Sequence, residues 1–138
     1  MAETLPPDLL EPIEKVARFI ETGDRTLLSA FAPTGVVIIE NFAPHLFEGP
    51  TAVERWSQTI LRWHQPPTTL VLKHSFGAPQ DLRVQGDEAF VSLPTYWSIS
   101  EDGETIEEDG GWAFVLARHA DGWKVRAYGW AVTNIEEG

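Results

Sequence analysis

Between residues 68 and 133 the sequence alternates. TTLVLKHSF, EAFVSLPTYWSIS, TIEEDGGWAFVLAR and WKVRAYGWAVT place apolar residues at every second position over much of their length. That is the period of a strand with one buried face. QGD, EDGE and HADG stand between the later segments, and glycine in so short a connection marks a hairpin turn. Strands joined by such turns pair antiparallel. Half the chain is thereby committed to a meander of long strands, and the residues before it must cover one of its faces.

Those earlier residues have the other period. Leu9, Ile13, Val16 and Ile20 are spaced four, three and four apart, an apolar helical stripe, with Pro12 expected in the first turn and Gly23 at the end. Asp24 can cap a short second helix carrying Leu27, Leu28 and Phe31, closed by Pro33 and Gly35. Residues 36 to 41 are β-branched and read as a strand. A third helix is expected after Gly49, with Pro50 at its first position, a capping box from Thr51 and Glu54, and a stripe of Val53, Trp56, Ile60 and Trp63; Pro66-Pro67 stops it. Helices before residue 66 and antiparallel strands after it, with one strand at 36 to 41 as the exception, predict an α+β fold in which helices cover one face of a curved antiparallel sheet. At 138 residues, with no repeat or linker, the chain reads as one domain spanning 1–138.

Composition narrows the partners. A formal net charge of −11 and no run of Lys or Arg argue against nucleic acid and anionic membrane, which need a basic face; a small molecule or another protein is expected. The chain has no cysteine, which removes disulfides, thiol catalysis and thiolate metal sites. Four scattered histidines show no metal-ligand spacing, and no phosphate loop or nucleophile elbow appears, so neither metal nor cofactor is expected. The N-terminus MAETLPPDLLEP lacks the basic start and apolar run of a signal peptide, and no stretch approaches a membrane span. A cytoplasmic location is expected.

The order of elements, with FEGPTAVERW at the third helix and GWAFVLARHADGWKVRAYGWA at the closing hairpin, resembles the superfamily of nuclear transport factor 2, steroid isomerases and SnoaL-like polyketide cyclases. The resemblance covers nearly the whole chain and implies a cone, a bent sheet wrapped around helices with a pocket at the open end. In the isomerases a carboxylate just after the first strand is the catalytic base. Glu40 stands in that place, nine residues before Gly49. Their two oxyanion donors, a tyrosine on the first helix and an aspartic acid on the penultimate strand, have no counterpart, since Val16, Phe19 and Phe114 stand near those positions. Steroid isomerisation itself is therefore not implied.

Glu40 is the leading catalytic candidate, because apolar walls around a carboxylate move its pKa toward neutrality, where a proton shuttle works. His45, on the loop after that strand, is a candidate second proton carrier. His74 shares a strand face with Leu70 and Leu72, opposite Lys73, and is expected to point inward. Trp56, Tyr96, Trp112, Tyr128 and Trp130 are candidate ligand-binding aromatics. Tyr96 and Trp97 must face opposite ways, so one of them is interior. The acidic run from Glu101 to Asp109 reads as a solvated hairpin. The reading is a small, mostly apolar ligand with cofactor-free acid–base chemistry of the isomerase, cyclase or dehydratase type, the alternative being a non-catalytic binding or interaction module. Six Trp residues and a sheet with an outer face lead us to expect a homodimer.

Overall fold

The computed structural model describes residues 5–137. Helix α1, Pro7–Thr22, buries Leu9, Ile13, Val16, Phe19 and Ile20 along one stripe. Gly23 ends it in the left-handed region at φ 73° and donates its N–H to the Phe19 carbonyl at 2.7 Å. Pro12 is not in the first turn. The helix begins five residues earlier, with Pro7 at the position proline suits best, and Pro12 lies inside it. Its ring is buried with the core stripe, which offsets the loss of one early backbone bond. Asp24 caps a single 3₁₀ segment, Arg25–Ala30, by accepting from the Thr26 N–H at 3.0 Å.

Helix α2 spans Ala52–Trp63 and buries Trp56 and Ile60. The expected capping box does not form. Thr51 Oγ1 accepts instead from Arg55 Nε at 3.1 Å, and Glu54 turns outward to Arg25 at 3.2 Å and to Gln58 at 3.0 Å. A carboxylate with two solvent-side donors gains more there than by reaching back to one backbone amide.

The strands are β1 (Val37–Ile39), β2 (Leu46–Phe47), β3 (Val71–Phe76), β4 (Asp81–Gln85), β5 (Glu88–Glu101), β6 (Glu104–His119) and β7 (Gly122–Glu137). They form one sheet in the order β2-β1-β7-β6-β5-β3, with β4 also on β5. Two corrections to the expected sheet follow. The short strands β2 and β4 extend its edges, and β1, three residues rather than six, lies parallel to β7 with Ile38 opposite Tyr128. The sheet is therefore mixed. β1 arrives from the helical layer rather than through a hairpin, so nothing in its connection forces an antiparallel pairing. The three long strands keep an inward row every second residue. Val91, Phe114 and Tyr128 form one row and Leu93, Trp112 and Trp130 the next. α1 and α2 pack on that concave side, where Ile13, Phe19, Ile38, Phe47, Trp56 and Phe114 are almost wholly buried. Among the described residues no helix is long and apolar enough to cross a membrane.

Candidate functional site

Glu40 follows β1 directly, and its backbone N–H donates to the His45 carbonyl at 2.8 Å, closing the turn into β2. The side chain points into the concave side and is only 8% exposed. Two donors converge on one oxygen. The Tyr128 hydroxyl from β7 and the Trp56 indole N–H from α2, the latter at 3.3 Å, both donate to Oε2. No cationic side chain bonds it, and no side chain donates to Oε1 among the described residues. Burial raises its pKa from 4.5 to about 7, against the lowering effect of the Tyr128 and Trp56 bonds. A carboxyl in that range is half ionised near neutral pH and can take up or release a proton. Tyr128, buried beneath it and facing its charge, is raised well above 10 and keeps its proton.

Glu40 forms part of the wall of a cavity of about 190 Å³. The helices contribute Ile20, Ile60 and Trp63, and the loop after β1 adds Asn41 and Phe42. Leu72, Trp97, Ile99, Glu108, Trp112 and Trp130 come from the sheet. Trp97, Trp112 and Trp130, on three adjacent strands, meet at centroid separations of 6.0 and 5.9 Å with their planes inclined at 54° and 74°. They form a corner rather than a stack. Phe42 and Trp63 meet edge-on at 5.0 Å on the helical side. Trp130 lies over β6 at a position, residue 110, where only glycine leaves room for its ring. A Cβ there would lie 2.4 Å from both the Trp130 ring and the Ala131 carbonyl oxygen.

Glu108 is the second carboxyl of the cavity. It pairs with Trp97 across β5 and β6 and is half-buried. Burial raises its pKa, opposed by the neighbouring Trp130 indole, and its charge in turn helps to raise Glu40. The acidic run of residues 101 to 109 is thus not all solvated, as the sequence reading had it. Parity assigns Glu108 to the inner face, two positions from Gly110 and four from Trp112.

The sequence matches no protein-family model and no curated protein. Solved structures do resemble the chain. A hexachlorocyclohexane dehydrochlorinase, LinA-type3 from Novosphingobium barchaimii, superposes with a TM-score of 0.75 at 10% identity, over 95% of this chain and 88% of that one. A protein from Novosphingobium aromaticivorans with the provisional name scytalone dehydratase gives 0.74 at 12% identity, over 95% and 85%. The CaMKII hub of S. rosetta gives 0.72 at 16% identity, over 95% and 100%. Identities this low speak to fold alone. The chain has the nuclear transport factor 2-like fold.

Within this NTF2-like cone the remaining candidates separate. Trp112 and Trp130 line the cavity, as does Trp97, which the Tyr96–Trp97 alternative left open. Trp56 and Tyr128 lie behind Glu40 and hold it rather than facing the cavity. Tyr96, expected among the ligand-binding aromatics, is 43% exposed on the convex face, because β5 sends odd residues such as Leu93 and Trp97 inward and even ones outward. His45 is exposed on the rim at φ 72°, its Nδ1 3.1 Å from the Glu40 carbonyl oxygen. It shapes the turn and lies outside the cavity lining. His74 does point inward, but at α1. Its Nδ1 lies 2.7 Å from Glu21 and its Nε2 3.3 Å from Glu14, and its backbone N–H donates to Glu21 as well. It ties β3 to the helix and is not brought to Glu40.

Proposed function

We propose that the protein binds a small, mostly apolar molecule in the cone and carries out cofactor-free proton transfer on it, with Glu40 as the base. One observation carries this reading. A carboxyl with no cationic partner is buried in the wall of an aromatic cavity, fixed by two donors to a single oxygen and poised near neutrality. A structural carboxylate would be less costly at the surface, and burying one without a cation is destabilising. The cavity volume of about 190 Å³ suits a single-ring body, since a void of about 150 Å³ holds a benzene. Allylic isomerisation, aldol-type cyclisation and β-elimination of water share one first step, removal of a proton from carbon beside a carbonyl.

Carbon-acid exchange tests this without knowledge of the natural substrate. Incubation with a panel of cyclic ketones, neutral and amino-substituted, in D₂O, followed by proton NMR, should show α-C–H exchange above the buffer rate for at least one member. Glu40→Gln should lower that exchange by about 100-fold or more, the usual worth of a general base. Exchange at the buffer rate for the whole panel, or full activity in the variant, would sink the base assignment. A non-catalytic binding module would then stand. That second reading has its own support, because the hydroxyl and indole nearest Glu40 are both committed to it and neither is free to stabilise an oxyanion.

We also propose that two copies pair through the convex face of the sheet. Phe90, Val115 and Ala127 form one outward row there, Ser92, Ala113 and Gly129 a second, and Pro94, Gly111 and Ala131 a third. Nine uncharged, mostly small residues make a patch on which another sheet can lie flat.

A further inference from the structure

The cavity has walls of a particular chemistry. Trp63, Trp97, Trp112, Trp130 and Phe42 supply five aromatic rings, and Ile20, Ile60, Leu72 and Ile99 the aliphatic remainder. Its charged or amide side chains are Glu40, Asn41 and Glu108, and the buried Trp112 indole N–H in its wall has no partner; among the described residues no Lys, Arg or His lines it. Two acids and no base make a site that repels anions. A neutral ligand would leave both carboxyls without a counter-charge.

We propose that the cavity is a cage for an organic ammonium ion, a protonated or alkylated amine on a body no larger than one ring. The inference rests on the cavity reading above and names the ligand class for that site. Indole faces carry negative quadrupole density and attract a cation lying over them, indole most of all among the aromatic side chains. Rings inclined at 54° and 74° present surfaces in several directions, which suits a rounded ammonium group better than a flat neutral ring. Glu108 stands on the same strand face as Trp97 and Trp112. Glu40 has one oxygen occupied by Tyr128 and Trp56 and the other without a side-chain donor. Both carboxyls therefore flank the aromatic corner, and a cation between them satisfies charges that the fold leaves uncompensated. A net charge of −11 raises the local cation concentration at the mouth.

The test compares three probes of similar size by calorimetry and by quenching of Trp fluorescence at pH 8: phenyltrimethylammonium, its neutral isostere tert-butylbenzene, and benzoate. The cation should bind at least about tenfold more tightly than the isostere, and benzoate should not bind. Glu108→Gln, at a half-exposed position, should weaken the cation about tenfold and leave tert-butylbenzene unchanged. Equal or tighter binding of tert-butylbenzene overturns the ammonium cage and leaves the apolar cavity standing. Binding of none of the three at millimolar concentration overturns both. Cation binding that fades steeply with salt and ignores Glu108→Gln is attraction to the acidic surface, and it too overturns the cage.

Discussion

The two faces of β5, β6 and β7 share one backbone and have opposite chemistry. Inward, the rows read Val91–Phe114–Tyr128 and Leu93–Trp112–Trp130; outward, one residue along, they read Ser92–Ala113–Gly129 and Pro94–Gly111–Ala131. A concave surface diverges from its opposite wall and needs long side chains to reach across, so the aromatics collect there. A convex surface has no opposite wall within the chain; small residues keep its two central rows smooth, and larger ones, Phe90 and Val115, stand in the row beside them. The difference shows that volume is placed by curvature as much as by hydrophobicity. It also puts the buried Glu40 and the half-buried Glu108 together on the concave side, in the wall of the cavity.

The comparison can be sharpened by pH. Glu40 holds its proton up to about 7 when folded and 4.5 when not, so between those values the unfolded chain binds fewer protons. Stability should fall as pH rises through that window and level off above it, by about 3 kcal/mol at most. The groups facing Glu40 are the Tyr128 hydroxyl, the Trp56 indole, the Asn41 backbone N–H and the Glu108 carboxyl. Of these Glu108 is itself raised and adds a smaller slope of the same sign, while Tyr128 stays protonated throughout. Asp24, Glu54 and Asp121 are lowered and act below the window. Urea unfolding at pH 5 and pH 8 should show the loss in the wild type and most of it removed in Glu40→Gln. An unchanged pH profile in the variant would mean that Glu40 is not the group.

A pair of glycine substitutions breaks the comparison more directly. Gly110→Ala drives a methyl into the Trp130 ring and the Ala131 carbonyl and should cost about 1–3 kcal/mol. Gly111→Ala, the next residue but on the convex face, meets nothing within 4 Å and should change stability by less than about 0.5 kcal/mol. Similar melting shifts for the two would show that curvature does not set the packing.

The smallest expected effect concerns association. Wild-type protein should sediment at twice the 15.4 kDa chain mass at micromolar concentration. Ala113→Glu, in the middle convex row, should raise the dimer dissociation constant by at least about tenfold, about 1.4 kcal/mol, without altering ligand binding. A wild-type monomer, or a variant that dimerises as before, refutes the convex interface.

Much of the fold was legible because its signals are local. The change of period at Pro66, Gly23 as a helix end and Asp24 as a cap each depend on neighbours within four residues. The parallel seam between β1 and β7 was not, because Ile38 and Tyr128 are ninety positions apart and three-residue strands carry no pairing code. The capping box failed through a tertiary competitor, Arg25, which no local pattern announces. At the cavity, the place of Glu40 could be read from the end of its strand, but the inward direction of Trp112 and Trp130 could not, because bulges interrupt the alternation of such long strands. Glu108 was hidden in a run of acids whose average is wet; only counting by twos from Trp112 sets it apart, and the shift of pairing register beside Gly110 shows how easily such counting slips. His74 was read inward correctly, but its partners lie on α1, where a sequence offers Glu14 and Glu21 no visible tie to a strand.

The bond from Tyr128 to Glu40 spans 88 residues, and β1 is held against the sheet by the same stretch of β7. During synthesis Glu40 emerges well before Tyr128. Until β7 docks, the carboxyl lacks its hydroxyl partner and the Trp130 side of the wall, and it keeps the ordinary acidity of a solvated glutamate. Closing so long a loop is entropically costly before its contacts form. The Glu40 environment is therefore completed only when β7 docks, and a chain cut within β7 loses that carboxyl's burial along with the fold.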